Sequence, residues 1–228
     1  RYNDPDRAVF YDHHRAFLLT LAVLSGTTGL FMAFTLGVIP FTVLGIISVL
    51  GLLYGVKLNP GRRKFKKRIQ RISDIPGSKT VLIALAWGVV SVVLPHLANS
   101  LRISTTMVFV TLLASVMAFV RTAFFDILDM QGDRIVGQES LPIVLGEKKS
   151  LSVLKQLLFL IFATLIFSPV MNLTTTLAYG LTFSVLYMAS VVQAFEKSWM
   201  VPGFRFEFVV ETVFPFTALV SVVWYFFH

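Results

Sequence analysis

Residues 103–137 read ISTTMVFVTLLASVMAFVRTAFFDILDMQGDRIVG. The run 103–125 carries a single charge, Arg121, and shows no period-2 alternation. A bilayer core of roughly 30 Å needs about 20 apolar residues in a helix. A run this long without alternation reads as a helix rather than a strand. It ends on three acids, Asp126, Asp129 and Asp133. A membrane helix that delivers a cluster of carboxylates to its end sets the expectation for the whole chain.

The composition extends that reading. Of 228 residues, 56% are hydrophobic and 14% charged, with a mean hydropathy of +0.78. A soluble domain is charged at about a quarter of its positions. The apolar surplus exceeds what one core of this size can bury, so lipid is the expected solvent. Six further apolar runs, at 16–36, 38–56, 79–97, 151–170, 173–193 and 209–227, bring the spans to seven. The expected fold is all-α, a polytopic transmembrane helical bundle in one domain over 1–228. Turns at Gly37 to Pro40, Asn99 to Arg102 and Asn172 to Thr174 close hairpins.

The longer polar segments 1–15, 57–78, 126–150 and 194–208 alternate with those turns, which puts all four on one side. They hold almost all of the basic residues, and Arg102 alone lies in an opposite-side turn. The formal net charge is +8. Basic loops mark the cytoplasmic side, so the expected location is the cytoplasmic membrane, with the chemistry facing the cytoplasm. No signal-peptide pattern is visible. The absence of cysteine excludes disulfides, thiol catalysis and cysteine-bound metal.

Asp126, Asp129 and Asp133 are spaced i, i+3, i+7, which shares one face of a continuous helix. Clustered carboxylates repel unless a cation or proton intervenes. Acids so near a bilayer are costly unless partnered or hydrated. Oxygen ligands suit Mg²⁺, which binds a few carboxylates together with substrate phosphates. The bland alternative is a solvated helix end. Arg121, inside the span, has three readings: contact with phosphate, pairing with Asp126, or snorkelling to the interface. Arg134 adds a cation, and Gly132 and Gly137 permit a turn after the acids.

The run DILDMQGDRIVGQESLPIVLG closely resembles the second aspartate-rich motif of the UbiA superfamily of intramembrane prenyltransferases. The likeness lies in DxxDxxxD, the GDR that follows, and SLPIVLG. The resemblance implies transfer of a polyprenyl group from a polyprenyl diphosphate to a hydrophobic acceptor, often aromatic. Mg²⁺ would lie between diphosphate and aspartates, with Asp126, Asp129 and Asp133 as metal ligands. It also implies a fold of nine membrane helices. With 16–36 as the third, the second motif falls after the sixth. The family's first motif, NxxxDxxxD, does not occur in RYNDPDRAVFYDHHR, where the residue four after Asn3 is Arg7. Two helices and that motif are therefore expected to lie outside this sequence, which would leave the chain as a fragment with half of its metal site. Asp6 and Asp12 are expected to cap or face water, and His13 and His14 to be interfacial.

KLNPGRRKFKKRIQRISDIPGSK holds nine Lys and Arg between Lys57 and Lys79 against one acid, Asp74. Most of this charge reads as positive-inside charge or headgroup contact. Only Phe65 interleaves it, which argues against nucleic-acid binding. DIPGSKTVLIALAWG resembles the loop and helix start after the family's fourth helix. Lys79 falls at that helix start, where a cation would meet the diphosphate. Asp74 either pairs with a base or serves the acceptor site. Glu211, just inside the last span, either faces the cavity or is an interfacial residue, and the interfacial reading is favoured.

By the resemblance, the diphosphate leaves, an allylic cation forms, and the acceptor attacks it. Such a cation needs a dry, aromatic-rich pocket, which 22 Phe, six Tyr and three Trp could furnish. The favoured acceptor is an aromatic quinone precursor. The alternatives are a non-catalytic relative that binds prenyl lipid, and a transporter. The spans are apolar away from their cytoplasmic ends, which disfavours the transporter.

Overall fold

The computed structural model describes residues 5–54, 75–100, 102–136, 140–199 and 203–227. Among them the chain is all helix, without a strand. Six helices are long and apolar enough to cross a membrane, the build of an integral membrane protein. Helix α1 (Pro5–His13) precedes α2 (Arg15–Leu36), and Gly37 separates α2 from α3 (Val38–Leu53). The basic stretch 57–74, with Asp74, lies outside the described residues.

The next span runs from Ser78 to Asn99 as one rod with a defect. It comprises α4 (Ser78–Gly88), a π-helical turn (Val89–Val93) and α5 (Leu94–Asn99). Pro95 explains the wide turn: its ring has no N–H and crowds the carbonyl four residues back, at Ser91. The next span is α6 (Thr105–Leu128), whose N-terminus is capped by Ser104 Oγ accepting from the Met107 amide at 3.0 Å. Short helices α7 (Met130–Val136) and α8 (Leu141–Leu145) follow it. Then come α9 (Glu147–Val170), α10 (Leu177–Glu196) and a last span made of α11 (Phe204–Glu211) and α12 (Val213–Phe227).

Of the seven expected spans, six have the length. The run at 38–56 contributes the 16-residue helix α3, about 24 Å long at 1.5 Å per residue.

Burial is uneven. It reaches 44% of the apolar window in α10 and 33% in α6 and α9, but only 6% in α2. On α9 the buried residues are Leu151, Leu154, Leu158, Ile161 and Leu165. Steps of three and four residues place them on one stripe. They meet Ala178, Val185, Met188 and Val192 of α10 and Val120, Phe124 and Ile127 of α6. At the end bearing the acids this core closes with three rings. Phe124 lies 5.4 Å from Phe195 and 5.9 Å from Phe206, both edge-on. The α2–α3 pair instead leaves its leucines, phenylalanines and isoleucines exposed, which costs nothing in lipid.

The tightest crossing is α4 on α6. A β-carbon added at Gly88 would collide with Ser115 Oγ and sit 3.0 Å from the Thr111 carbonyl oxygen. Without a hydrophobic force between helices in lipid, such close backbone approach at small residues is what holds them together. Gly88→Val is expected to destabilise the bundle by about 1–3 kcal/mol, the usual cost of overpacking. Thermal unfolding in detergent measures this. Ser115→Gly in the same chain should return part of the loss, since it removes the atoms that the new side chain would meet first.

Candidate functional site

The α4–α6 crossing decides what meets at its polar end. The turn Ile75–Gly77 leads into α4, with Gly77 at φ +74, a backbone that side chains rarely adopt. A β-carbon there would also strike Leu141 Cδ1, at 2.7 Å. Glycine thus lets the start of α4 press against the start of α8. Lys79 and Thr80 follow at once. Thr80 is fully buried and donates its hydroxyl hydrogen bond to the carboxylate of Asp126, itself buried on α6. This bond spans the two helices and satisfies one oxygen of an acid that is otherwise expensive at this depth.

Asp129 ends α6, with φ −87 and ψ 0. The helix turns there, and α7 starts at Met130, with the Asp133 amide still donating to the Asp129 carbonyl four residues back. Asp126 and Asp129 line one cavity, while Asp133, half-buried on α7, and the exposed Arg134 are not among its lining residues. Gly132 lies within α7, so the turn falls at Asp129; Gly137 lies outside the described residues.

Arg121 lies more than one turn before Asp126 on the same helix. Of its expected partners, Asp126 is not the one it takes: its guanidinium pairs with Glu211 at the end of α11. It lies 4.8 Å from the Phe125 ring centroid and 5.9 Å from that of Phe214. Its Nε is buried and without a hydrogen-bond partner. Glu211 therefore faces the cavity, the less favoured of the two placements open from the sequence. Glu207 lines the cavity too. The i, i+4 spacing of these two acids on one helix was the sequence signal for their shared face.

The resulting cavity of about 360 Å³ joins Lys79, Arg121, Asp126, Asp129, Glu207 and Glu211. Among the described residues this lining sets four carboxylates against two cations, and Asp129 and Glu207 each have a further interaction. An all-oxygen donor set of this kind matches a hard cation. Asp126 and Asp129 fit the pattern of one or two carboxylates that share Mg²⁺ with phosphate oxygens. Among the described residues, no three His, Asp or Glu side chains gather closely enough to enclose an ion by themselves.

A second cavity, about 270 Å³, lies deeper in the same bundle and is lined by Trp87, Leu113, Met117, Ile161, Leu181 and Phe214, among others. Phe214 connects the two. It stacks on Trp87 at 5.2 Å, with planes 9° apart, and approaches Arg121 from the apolar side.

Compared with known proteins, the chain matches no family model, no curated protein and no solved structure.

Thr80→Val deletes the hydroxyl and strands the Asp126 carboxylate. The expected loss is about 1–3 kcal/mol, the cost of an orphaned buried polar group. Thr80→Ser should keep most of the stability. Unfolding midpoints of both variants, alone and with Asp126→Ala, which removes the acceptor, isolate the pair. A full Thr80→Val loss that persists in the Asp126→Ala background would mean the hydroxyl acts elsewhere.

Proposed function

We propose that the chain carries a prenyl-transfer site at the cytoplasmic face of a membrane, using a polyprenyl diphosphate and Mg²⁺. The observation that carries the reading is the pairing of two unlike cavities. An oxygen-rich charged pocket at the end of α6 adjoins an apolar, aromatic-walled cavity inside the bundle. An amphiphile with an anionic head and a hydrocarbon tail is complementary to both. The motif resemblance at 126–146 supplies the reaction class. The α3 helix would be the seventh crossing, and local bilayer thinning would offset its shortness.

Asp126 and Asp129 would hold Mg²⁺, which supplies charge neutralisation for the diphosphate oxygens. Lys79 stands beside them as a point charge for the departing phosphate. Thr80 holds the Asp126 carboxylate in place, so little reorganisation is needed when the leaving group takes its charge. The prenyl C–O bond breaks with its electron pair on the diphosphate. The acceptor then forms the new bond to the allylic carbon, and an aromatic acceptor loses a ring proton. Trp87, in the lining of the apolar cavity, offers an aromatic ring to the transient cation, and the apolar walls keep water from it. The favoured acceptor is an aromatic quinone precursor. A non-catalytic prenyl-lipid binder is the second reading. It is favoured by the lack, among the described residues, of three converging carboxylates.

The test is titration of the detergent-purified protein with geranylgeranyl diphosphate, with and without Mg²⁺. Binding should require Mg²⁺ and weaken by about tenfold or more in Asp129→Ala and Asp126→Asn, the usual range for loss of a charge-assisted contact. Asp133→Ala decides the third aspartate. A loss equal to that of Asp129→Ala puts it among the ligands, as the resemblance implies, and near-unchanged binding leaves it on α7. Binding that ignores Mg²⁺ and both cavity aspartates would sink the proposal.

A further inference from the structure

A third cavity, about 420 Å³, lies between α3 and α4, outside the bundle core. Its walls are Ile47, Leu50 and Gly51 on α3 and Leu82, Ala86 and Val89 on the α4 rod. Helix α3 packs against α5 rather than α4. The two helices therefore meet at the far end and stand apart toward Tyr54 and Lys79, which leaves a groove. Its neighbours Leu50, Leu53, Val81 and Leu85 are exposed, so it faces lipid sideways. The site described above does not use this groove, but the two share Lys79.

The polar end of the groove is chemically distinct from the acid-lined pocket. It offers one cation, Lys79, and one hydroxyl, Tyr54 Oη, which lies 3.4 Å from Ser78 Oγ. Among the described residues, no carboxylate lines it. A diphosphate brings more negative charge than one lysine can match. A phosphodiester brings a single negative charge and acceptor oxygens, which one ammonium and one hydroxyl suit. The sequence joining α3 to α4 adds eight Lys and Arg between Lys57 and Arg71, which enriches anionic lipid near this end of both helices.

We propose that the α3–α4 groove is a binding site for one chain of an anionic phospholipid, with the lipid phosphate on Lys79 and Tyr54. Lys79 then serves two anions, one in each of the cavities that meet at Lys79 and Ile83. Anionic lipid in the groove and diphosphate in the acid-lined pocket draw on the same ammonium, so each weakens the other's hold on it.

Native mass spectrometry of the delipidated protein tests this, by titration with dioleoylphosphatidylglycerol and dioleoylphosphatidylcholine. One phosphatidylglycerol should bind about fivefold more tightly than phosphatidylcholine, the difference one lysine makes near a headgroup. Lys79→Gln should erase that preference. Gly51→Phe should weaken phosphatidylglycerol alone, leaving Mg²⁺-dependent geranylgeranyl diphosphate binding intact. A β-carbon at Gly51 meets nothing within 4 Å, so the ring enters the groove rather than a helix contact. Tyr54→Phe reads the head end should the Gly51 variant unfold, and it should weaken phosphatidylglycerol more than phosphatidylcholine.

Equal affinity for the two lipids would overturn the site. So would a preference untouched by Lys79→Gln, which assigns it to the general charge of the 57–71 stretch. Loss of geranylgeranyl diphosphate in step with phosphatidylglycerol in Gly51→Phe would assign the groove to a prenyl tail. The phospholipid readout needs neither Mg²⁺ nor diphosphate, so failure of the prenyl-transfer reading leaves it intact.

Discussion

The crossing of α4 over α6 is the contact on which the rest depends. It is held at two heights. In the apolar part, Gly88 lets the helices approach until Ser115 fills the space a side chain would take. At the polar end, Thr80 reaches across to Asp126. Neither contact is large, but both are specific in a way that leucine packing in lipid is not. Together they set the rotation of α4, and rotation decides where Lys79 stands. Turned away from α6 by half a turn, the lysine would face lipid and the acid-lined pocket would lose one of its two cations.

The bundle divides its work between halves that differ in burial. Helices α6, α9, α10 and the last span enclose a core with stripes three and four residues apart. The pair α2–α3 encloses almost nothing. In water such a pair would be an aggregation hazard, whereas in a bilayer its exposed leucines and phenylalanines meet their natural solvent. The chemistry-bearing residues follow the same division. Arg121, Asp126, Asp129, Glu207 and Glu211 come from the buried half, and Lys79 stands on the rod next to the sparse one. Precision is thus available for the acids, while the lysine can serve two surroundings.

Much of this was legible from the residues. Apolar length alone marked the spans, because lipid forces backbone hydrogen bonds inside each segment. The acids at the end of α6, the arginine within it and Lys79 at a helix start were visible as charges where charge is costly. Other features were not. The i, i+3, i+7 spacing marks a shared face, but it does not tell which of the three acids line a cavity with Arg121 and Glu211, because those partners come from distant parts of the chain. Thr80 looked like any threonine at a helix start, because a buried hydrogen bond between helices leaves no local pattern. From spacing alone an interfacial Glu211 is favoured, because its partner, Arg121, is 90 residues away. Pairings across the fold are tertiary facts, and single-sequence spacing carries only local ones.

The charge balance of the pocket ties these points together. Arg121 is committed to Glu211, backed by aromatic faces, with Nε left unpaired. That ion pair closes the inner end and cancels one acid with one cation. Among the described residues the remaining charged lining is Asp126, Asp129 and Glu207 with Lys79, and Asp129 and Glu207 each have a further interaction. A hard cation carried in with an anion suits that lining, because it offers the carboxylates a partner and the anion a counter-charge at once. The same arithmetic separates the groove beyond Lys79, where no acid stands among the described residues and a single negative charge is matched without metal. On the proposed reading, one lysine between two such surroundings would distinguish its ligands by their charge, a metal-bearing diphosphate on the acid side and a lone phosphodiester on the lipid side.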